Sequence, residues 1–346
     1  MIPPTTALPI ALRTLSRARR WFRAGLTGAL MLAGTLPLLP ALASAQDSYP
    51  DKPVSMLVPF PPGGVADTVG RPVAEAMARA LGQPVVVDNK GGAGGGIGMA
   101  QVAKSRPDGY TLLMSLSSVV VLPQADRVLQ RPPLFTLDQL KPVARFTADP
   151  TVLAVRADSP WKNFADFIAA ARAHPGTLSF GSSGNYGTMH VPMEQLKAAT
   201  GTFMLHVPYT GAGPAVLALL GGQIDAIATG PSSITQQVKS GRLRVLAHWG
   251  EGRLAALPGV PSLQELGVPI RYSQWSGLFV PAGTPDAVIA RLRQAARAAA
   301  NDPRAQQALA AAGTSFQYQD QPDFERFVQD DARAMAAVVQ RIGRVD

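Results

Sequence analysis

The chain has 346 residues, 47% of them hydrophobic, with 33 glycines and 31 prolines, which suits a globular protein of two domains built from short elements and many turns. It contains no cysteine, and this excludes disulfides, Cys-ligated zinc, iron–sulfur clusters, a catalytic thiol and a lipid anchor on an N-terminal Cys. The formal charge of +9 is concentrated at the start, where Arg13, Arg17, Arg19, Arg20 and Arg23 stand with no acid; without them the excess falls to +4, and no dense basic tract remains for a nucleic acid.

Those arginines are followed by an apolar stretch from Ala24 to Leu42 and the small-residue triplet Ala43-Ser44-Ala45. A basic region, an apolar region and an A-x-A site together make a secretory signal peptide over 1–45, cleaved after Ala45, and place the mature chain in the periplasm. The Arg19-Arg20-Trp21-Phe22 run also matches part of a twin-arginine signal, which leaves the export route open.

Beyond the signal, strand-like and helix-like segments alternate. Val54–Val58 reads as a buried strand ending at the turn Pro59 to Gly64. Apolar residues at Val69, Val73, Met77, Ala80 and Leu81 predict a helix over 67–81, stopped by Gly82. Val85–Val87 is the next strand, a glycine run from Gly91 to Gly98 opens a helix through Ala103, and Tyr110–Met114 is a third strand. A second series starts at Thr151–Val155 and continues through a helix over 164–173, a strand at Leu178–Phe180, and a helix from His190 to Ala199. It then runs through a strand at His206–Tyr209, a helical segment at Ala215–Leu220, and strands at Ile224–Ala228 and Leu243–Ala247. Helices rich in Ala and Arg follow from Asp286. Such alternation predicts an α/β protein of two lobes, each a mostly parallel sheet flanked by helices. The expected organisation is lobe 1 from 46–149 and 261–346, and lobe 2 from 150–260.

Three loops each follow a strand and open a helix: Phe60 to Asp67, Gly181 to His190, and Tyr209 to Ala215. In such sheets ligands sit at the carboxyl ends of strands, where free N–H groups and the helix dipole favour an anion. None of the three contains Lys or Arg, so a carboxylate held there relies on neutral donors. The glycine run over 91–98 satisfies neither a dinucleotide nor a P-loop pattern, and no cofactor or metal site is expected.

The mature chain resembles the Bug family, the TctC-like extracytoplasmic solute receptors of tripartite tricarboxylate transporters. The segments that carry the resemblance include Tyr49 to Pro53, Val58 to Asp67, Leu81 to Lys90, Gly92 to Gly95, Pro107 to Leu113, Gly181 to His190 and His206 to Tyr209. Gly221 to Asp225, Leu257 to Pro261, Trp275 to Leu278 and Pro281 to Pro285 continue the order. The resemblance implies a class II periplasmic binding-protein fold with two crossover segments, and a small carboxylate (a dicarboxylate, an amino acid or an aromatic acid) in the interlobe cleft. It also implies membrane components of a tripartite transporter, or a sensor protein, as partners of a monomeric receptor that is not an enzyme.

Carried onto matching positions, the resemblance nominates Phe60, Gly63, Gly64, Ser182, Ser183 and Thr188 as ligand-binding, with Asp67, His190 and Tyr209 from the ends of the motifs. By position alone, Asp67 is first a helix cap and His190 first a structural hydrogen-bonding group. Tyr186 stands where the family has a small residue and is placed in the cleft wall; His248 and Trp249 also stand where smaller residues are common. Ligand choice is assigned to the Tyr186 and Thr229 to Ser232 regions, and Trp275 to core or hinge packing. The competing reading is an exported serine hydrolase using Ser183 or Ser182 with His190, although Asn185 prevents a G-x-S-x-G elbow around Ser183. A third is an adaptor that binds only another protein.

Overall fold

The computed structural model describes residues 49–254 and 256–345; the expected signal peptide lies outside the described residues. The apolar run Val54–Val58 forms strand β1, followed by helix α1, Val65–Leu81. On α1 the i, i+4 series Val65, Val69, Val73, Met77 and Leu81 is buried, so the spacing read in the sequence is the face that packs on the sheet. Next come β2 (Val85–Asn89), α2 (Gly96–Ala103), β3 (Thr111–Leu116), α3 (Ser118–Val128) and the long strand β4 (Leu140–Pro150). After a single residue the chain enters β5 (Val152–Arg156). It continues through α4 (Phe164–Ala173), β6 (Ser179–Ser182), α5 (His190–Thr200), β7 (Leu205–Pro208), α6 (Ala212–Leu220), β8 (Ala226–Thr229), α7 (Thr235–Lys239) and β9 (Leu243–His248). The return strand β10 (Ser273–Pro281) leads to α8 (Asp286–Ala300), α9 (Pro303–Ala311), β11 (Gln319–Asp320) and α10 (Gln321–Ile342).

Two sheets result, of order β11-β4-β10-β3-β1-β2 and β7-β6-β8-β5-β9. Both are mixed, which corrects the expectation of mostly parallel sheets. In the first, β1 runs parallel to β2 and β3, whereas β10 is antiparallel to β3 and β4. In the second, β6 runs parallel to β7 and β8, whereas β5 is antiparallel to β8 and β9. The reason is local. Parallel neighbours need a crossover connection, and the β-α-β units from β1 to β3 and from β6 to β8 supply it; β5 and β10, the first strand after each passage between the sheets, run antiparallel to their neighbours.

The two passages between sheets lie side by side. Trp249 N–H donates to the Thr151 carbonyl at 2.9 Å, Tyr272 N–H to that of Trp249 at 3.2 Å, and Thr151 N–H to that of Tyr272 at 3.3 Å. His248 and Trp249 are buried at this crossing. A few backbone hydrogen bonds between adjacent segments are the geometry of a hinge, which absorbs rotation at element ends.

Asp149, just before the crossing, is buried and accepts a hydrogen bond from the Thr314 hydroxyl at 2.6 Å. Burial pushes its carboxyl up to about 6, against the pull of Thr314. A carboxyl raised in the native state favours folding fully below its unfolded value, and that contribution is lost as pH rises through about 6. Relative to Asp149→Asn, the wild-type chain is therefore expected to lose on the order of 2–3 kcal/mol between pH 4 and pH 7. Urea unfolding of both proteins at the two pH values checks this; an identical difference at both would refute it.

Candidate functional site: a closed interlobe cavity

Between the sheets lies a cavity of about 10 Å³ lined by Phe60, Gly64, Val65, Leu116, Ser183, Thr188, Met189, Ala212 and Gln274. That is room for about one water molecule. Phe60, Gly64, Val65 and Leu116 come from the β1–α1 and β3 ends, Ser183, Thr188, Met189 and Ala212 from the β6–α5 and β7–α6 loops, and Gln274 from the crossover strand β10. The two lobes are thus in contact around the site, a closed arrangement.

None of the nine lining residues carries a charge. What the wall offers instead is backbone and neutral side chains. Helices α1 and α6 approach the cavity with their first residues, Val65 and Ala212, and both start at a glycine, Gly64 and Gly211, without a side-chain cap. Opposed helix N-termini with unclaimed amides favour an anion between them. Two side-chain atoms in the wall, Ser183 Oγ and Gln274 Oε1, are buried without a hydrogen-bond partner. Gln274 Nε2 donates to Thr188 Oγ1 at 2.5 Å.

Of the residues nominated from sequence, Phe60, Gly64, Ser183 and Thr188 line this cavity; the others are placed differently. Asp67 holds the first loop from behind. Its carboxylate accepts from Gly63 N–H, Arg71 Nε and Asn89 Nδ2 at 3.0, 3.1 and 3.0 Å. Burial alone would raise its pKa, but these bonds, led by Arg71, hold it below the usual carboxylate range. Gly63 spends its amide on Asp67 and is not a lining residue. Asn89, which the sequence reading missed, also donates to the Phe60 carbonyl at 3.0 Å and so ties β2 to the loop; no loop motif marks it.

In the second loop, Ser182 Oγ lies 2.6 Å from His206 Nε2 and accepts from Gly184 N–H at 3.0 Å. The Ser182 side chain is therefore turned into the lobe and not into the cavity. His190 is fully buried, its Nδ1 accepts from Tyr186 N–H at 3.0 Å, and its ring stacks on His206 at 4.1 Å between centroids. Both contacts lie within the lobe, and His190 is not among the lining residues. Burial first, and then the neighbouring His190, push the His206 imidazole down to about 3.

Tyr186 does not form the cavity wall. Its hydroxyl donates to the Gly343 carbonyl at 2.6 Å and accepts from Val345 N–H at 3.2 Å, and its ring packs edge-on to His190. The side chain thereby fastens the segment after α10 to the β6–α5 loop. Tyr209 lines a separate outer groove of about 590 Å³, shared with Ala93, Leu122, Arg131, Asn185 and Thr210.

Two mixed sheets joined by paired crossovers, with a closed cavity where helix N-termini of both lobes meet, define the two-lobed periplasmic binding-protein architecture. Residues 69–344 match TctC, the tripartite tricarboxylate transporter family receptor, and the chain belongs to this family. BugT of Bordetella pertussis is 35% identical over 300 residues, covering 86% of this chain and 91% of BugT. The solved periplasmic binding protein BugD is similar at 30% identity with a TM-score of 0.81, over 85% of this chain and 99% of that one. MatC from Rhodopseudomonas palustris, solved with bound malate, is similar at 28% identity and a TM-score of 0.78, over 84% of this chain and all (100%) of that one.

Proposed function

We propose that the chain is a periplasmic receptor that captures a small carboxylate between its lobes and presents it to the membrane components of a tripartite transporter. The observation that carries this reading is the uncharged cavity in which the uncapped starts of α1 and α6 face each other beside the unpartnered Ser183 hydroxyl. Such a site stabilises a carboxylate by dipoles and neutral donors, and an acid larger than the one-water cavity is held between the two helices with the lobes further apart than here, an arrangement it favours by touching both. The lobes are assigned as 46–149 with 261–346, and 150–260, in line with the membership of the two sheets. Malate in MatC supports a dicarboxylate as the ligand class.

The hydrolase reading finds little support. The histidine beside Ser182 is His206, not His190, and this serine is fully buried outside the cavity wall. Among the described residues Ser183 Oγ has no hydrogen-bond partner, so none of them is a base positioned to activate it.

Calorimetric titration of refolded protein with di- and tricarboxylates, amino acids and aromatic acids tests the proposal. Ser183→Ala is expected to weaken the best ligand about 10-fold, the loss of one hydrogen bond to a charged group. Because that hydroxyl is unpaired without ligand, the variant keeps the stability of the parent. Unchanged affinity in both Ser183→Ala and Thr188→Ala would remove the second loop from the site.

A further inference from the structure

Gln274 is the second residue of β10, opposite Asp149 of β4, on the strand that brings the chain back from the second sheet. It is 1% exposed. Its amide nitrogen is used in the contact with Thr188, which leaves its carbonyl oxygen buried and unpartnered among the described residues, on a side chain that lines the cavity. The oxygen points toward the turn after β8, where a Cβ on Gly230 would lie 2.6 Å from it. A side chain at position 230 would therefore displace the amide, and the bare glycine leaves room for this acceptor beside the cavity.

The chemistry of that atom limits what it can read. An amide carbonyl accepts hydrogen bonds and donates none. A carboxylate is also acceptor-only, so the group that satisfies Gln274 Oε1 is not the one held at the helix N-termini. It must be an O–H or N–H elsewhere on the ligand. Resting on the receptor reading above, we propose that Gln274 selects acids that carry a hydroxyl or ammonium substituent over the unsubstituted acid. Ser183 and the α1 and α6 amides hold the carboxylate, and Gln274 reads the substituent. A buried acceptor left unpaired by the wrong ligand discriminates more strongly than a missing methylene does, because the unmet hydrogen bond is retained in the complex.

Calorimetric competition tests this with two matched series: succinate, malate and aspartate, then glutarate, 2-hydroxyglutarate, glutamate and 2-oxoglutarate. The expected result is that in at least one series a donor-bearing acid binds about 10-fold or more tighter than the unsubstituted one. The oxo acid, which adds only an acceptor, gains nothing. Gln274→Met, of similar length but apolar, should shrink the preference to about 2-fold or less. Equal affinities across both series, a preference for the oxo acid, or a preference that survives in Gln274→Met would overturn the assignment and leave the receptor reading intact. Failure of every acid in both series to bind would instead overturn the dicarboxylate reading beneath it.

Discussion

Gly213→Ala is expected to weaken ligand binding about 100-fold or more, by blocking the approach of the two lobes seen around the cavity. Gly213 is the second residue of α6, and a Cβ there would lie 2.7 Å from the Pro62 carbonyl oxygen of the opposite lobe. The obstructing atom is backbone, so no rotamer change relieves the clash, and the lobes cannot close to the arrangement around the cavity. Within α6 itself alanine is the better residue, favoured over glycine by roughly 0.5–1 kcal/mol in a helix. The clash therefore falls on the contact between the lobes and not on α6 itself. A ligand that binds through both lobes loses the differential affinity that drives closure, and about 2.7 kcal/mol of that loss is a factor of 100 in Kd. Gly184 makes a comparable approach, with a Cβ 2.8 Å from Gly94 N, but its φ of +112° adds backbone strain to the clash, so Gly213 is the cleaner probe. Titration calorimetry reads this; parental affinity in Gly213→Ala would show that capture does not need this closure.

Trp275→Ala should cost roughly 3–5 kcal/mol of stability, the usual range for truncating a buried aromatic. Trp275 is 1% exposed on β10, with its ring edge-on to Phe324 and Phe327 of α10 at 5.5 and 5.7 Å. Its indole N–H donates to Asp331 Oδ2 at 2.7 Å. Burial raises the Asp331 carboxyl, and that hydrogen bond works against the rise. Alanine thus opens a cavity and also strips a buried carboxyl of its partner. Trp275→Phe separates the two effects, since it keeps most of the packing and removes only the N–H, at about 1–3 kcal/mol. Urea unfolding of both variants measures the split. A loss in Trp275→Ala no larger than in Trp275→Phe would mean that the ring contributes little, against the packing seen here.

Elements whose partners are near in sequence were readable, and those held by distant partners were not. The α1 helix was legible because Val69, Val73, Met77 and Leu81 repeat at the helical period and one buried face receives them. The β4 strand was not, because Lys141, Pro142, Arg145 and Asp149 interrupt its apolar pattern and its long pairing is with β10, more than a hundred residues on. The β-branched run Val119–Val121 with Pro123 reads against a helix, yet it lies in α3, buried beneath the α10 contact; tertiary packing outweighs the local preference.

The site divides in the same way. Glycine and hydroxyl loops after strands announce themselves, and Phe60, Gly64, Ser183 and Thr188 do line the cavity. Which way a side chain turns is another matter. Tyr186 reaches the segment after α10, more than 150 residues away, and Asp67 faces Arg71 and Asn89. Gln274 reaches the cavity from the start of β10, where the chain re-enters the first sheet, and nothing in its own neighbourhood of sequence marks it.

Ligand-observed NMR of the refolded protein with a mixed panel of carboxylates tests capture without chemistry most directly. The account predicts that the resonances of one chemical class are attenuated in the presence of protein, recover on displacement by excess of the same acid, and give rise to no new signals. Attenuation of no acid, or the appearance of product resonances that vanish in Ser182→Ala or Ser183→Ala, would contradict it.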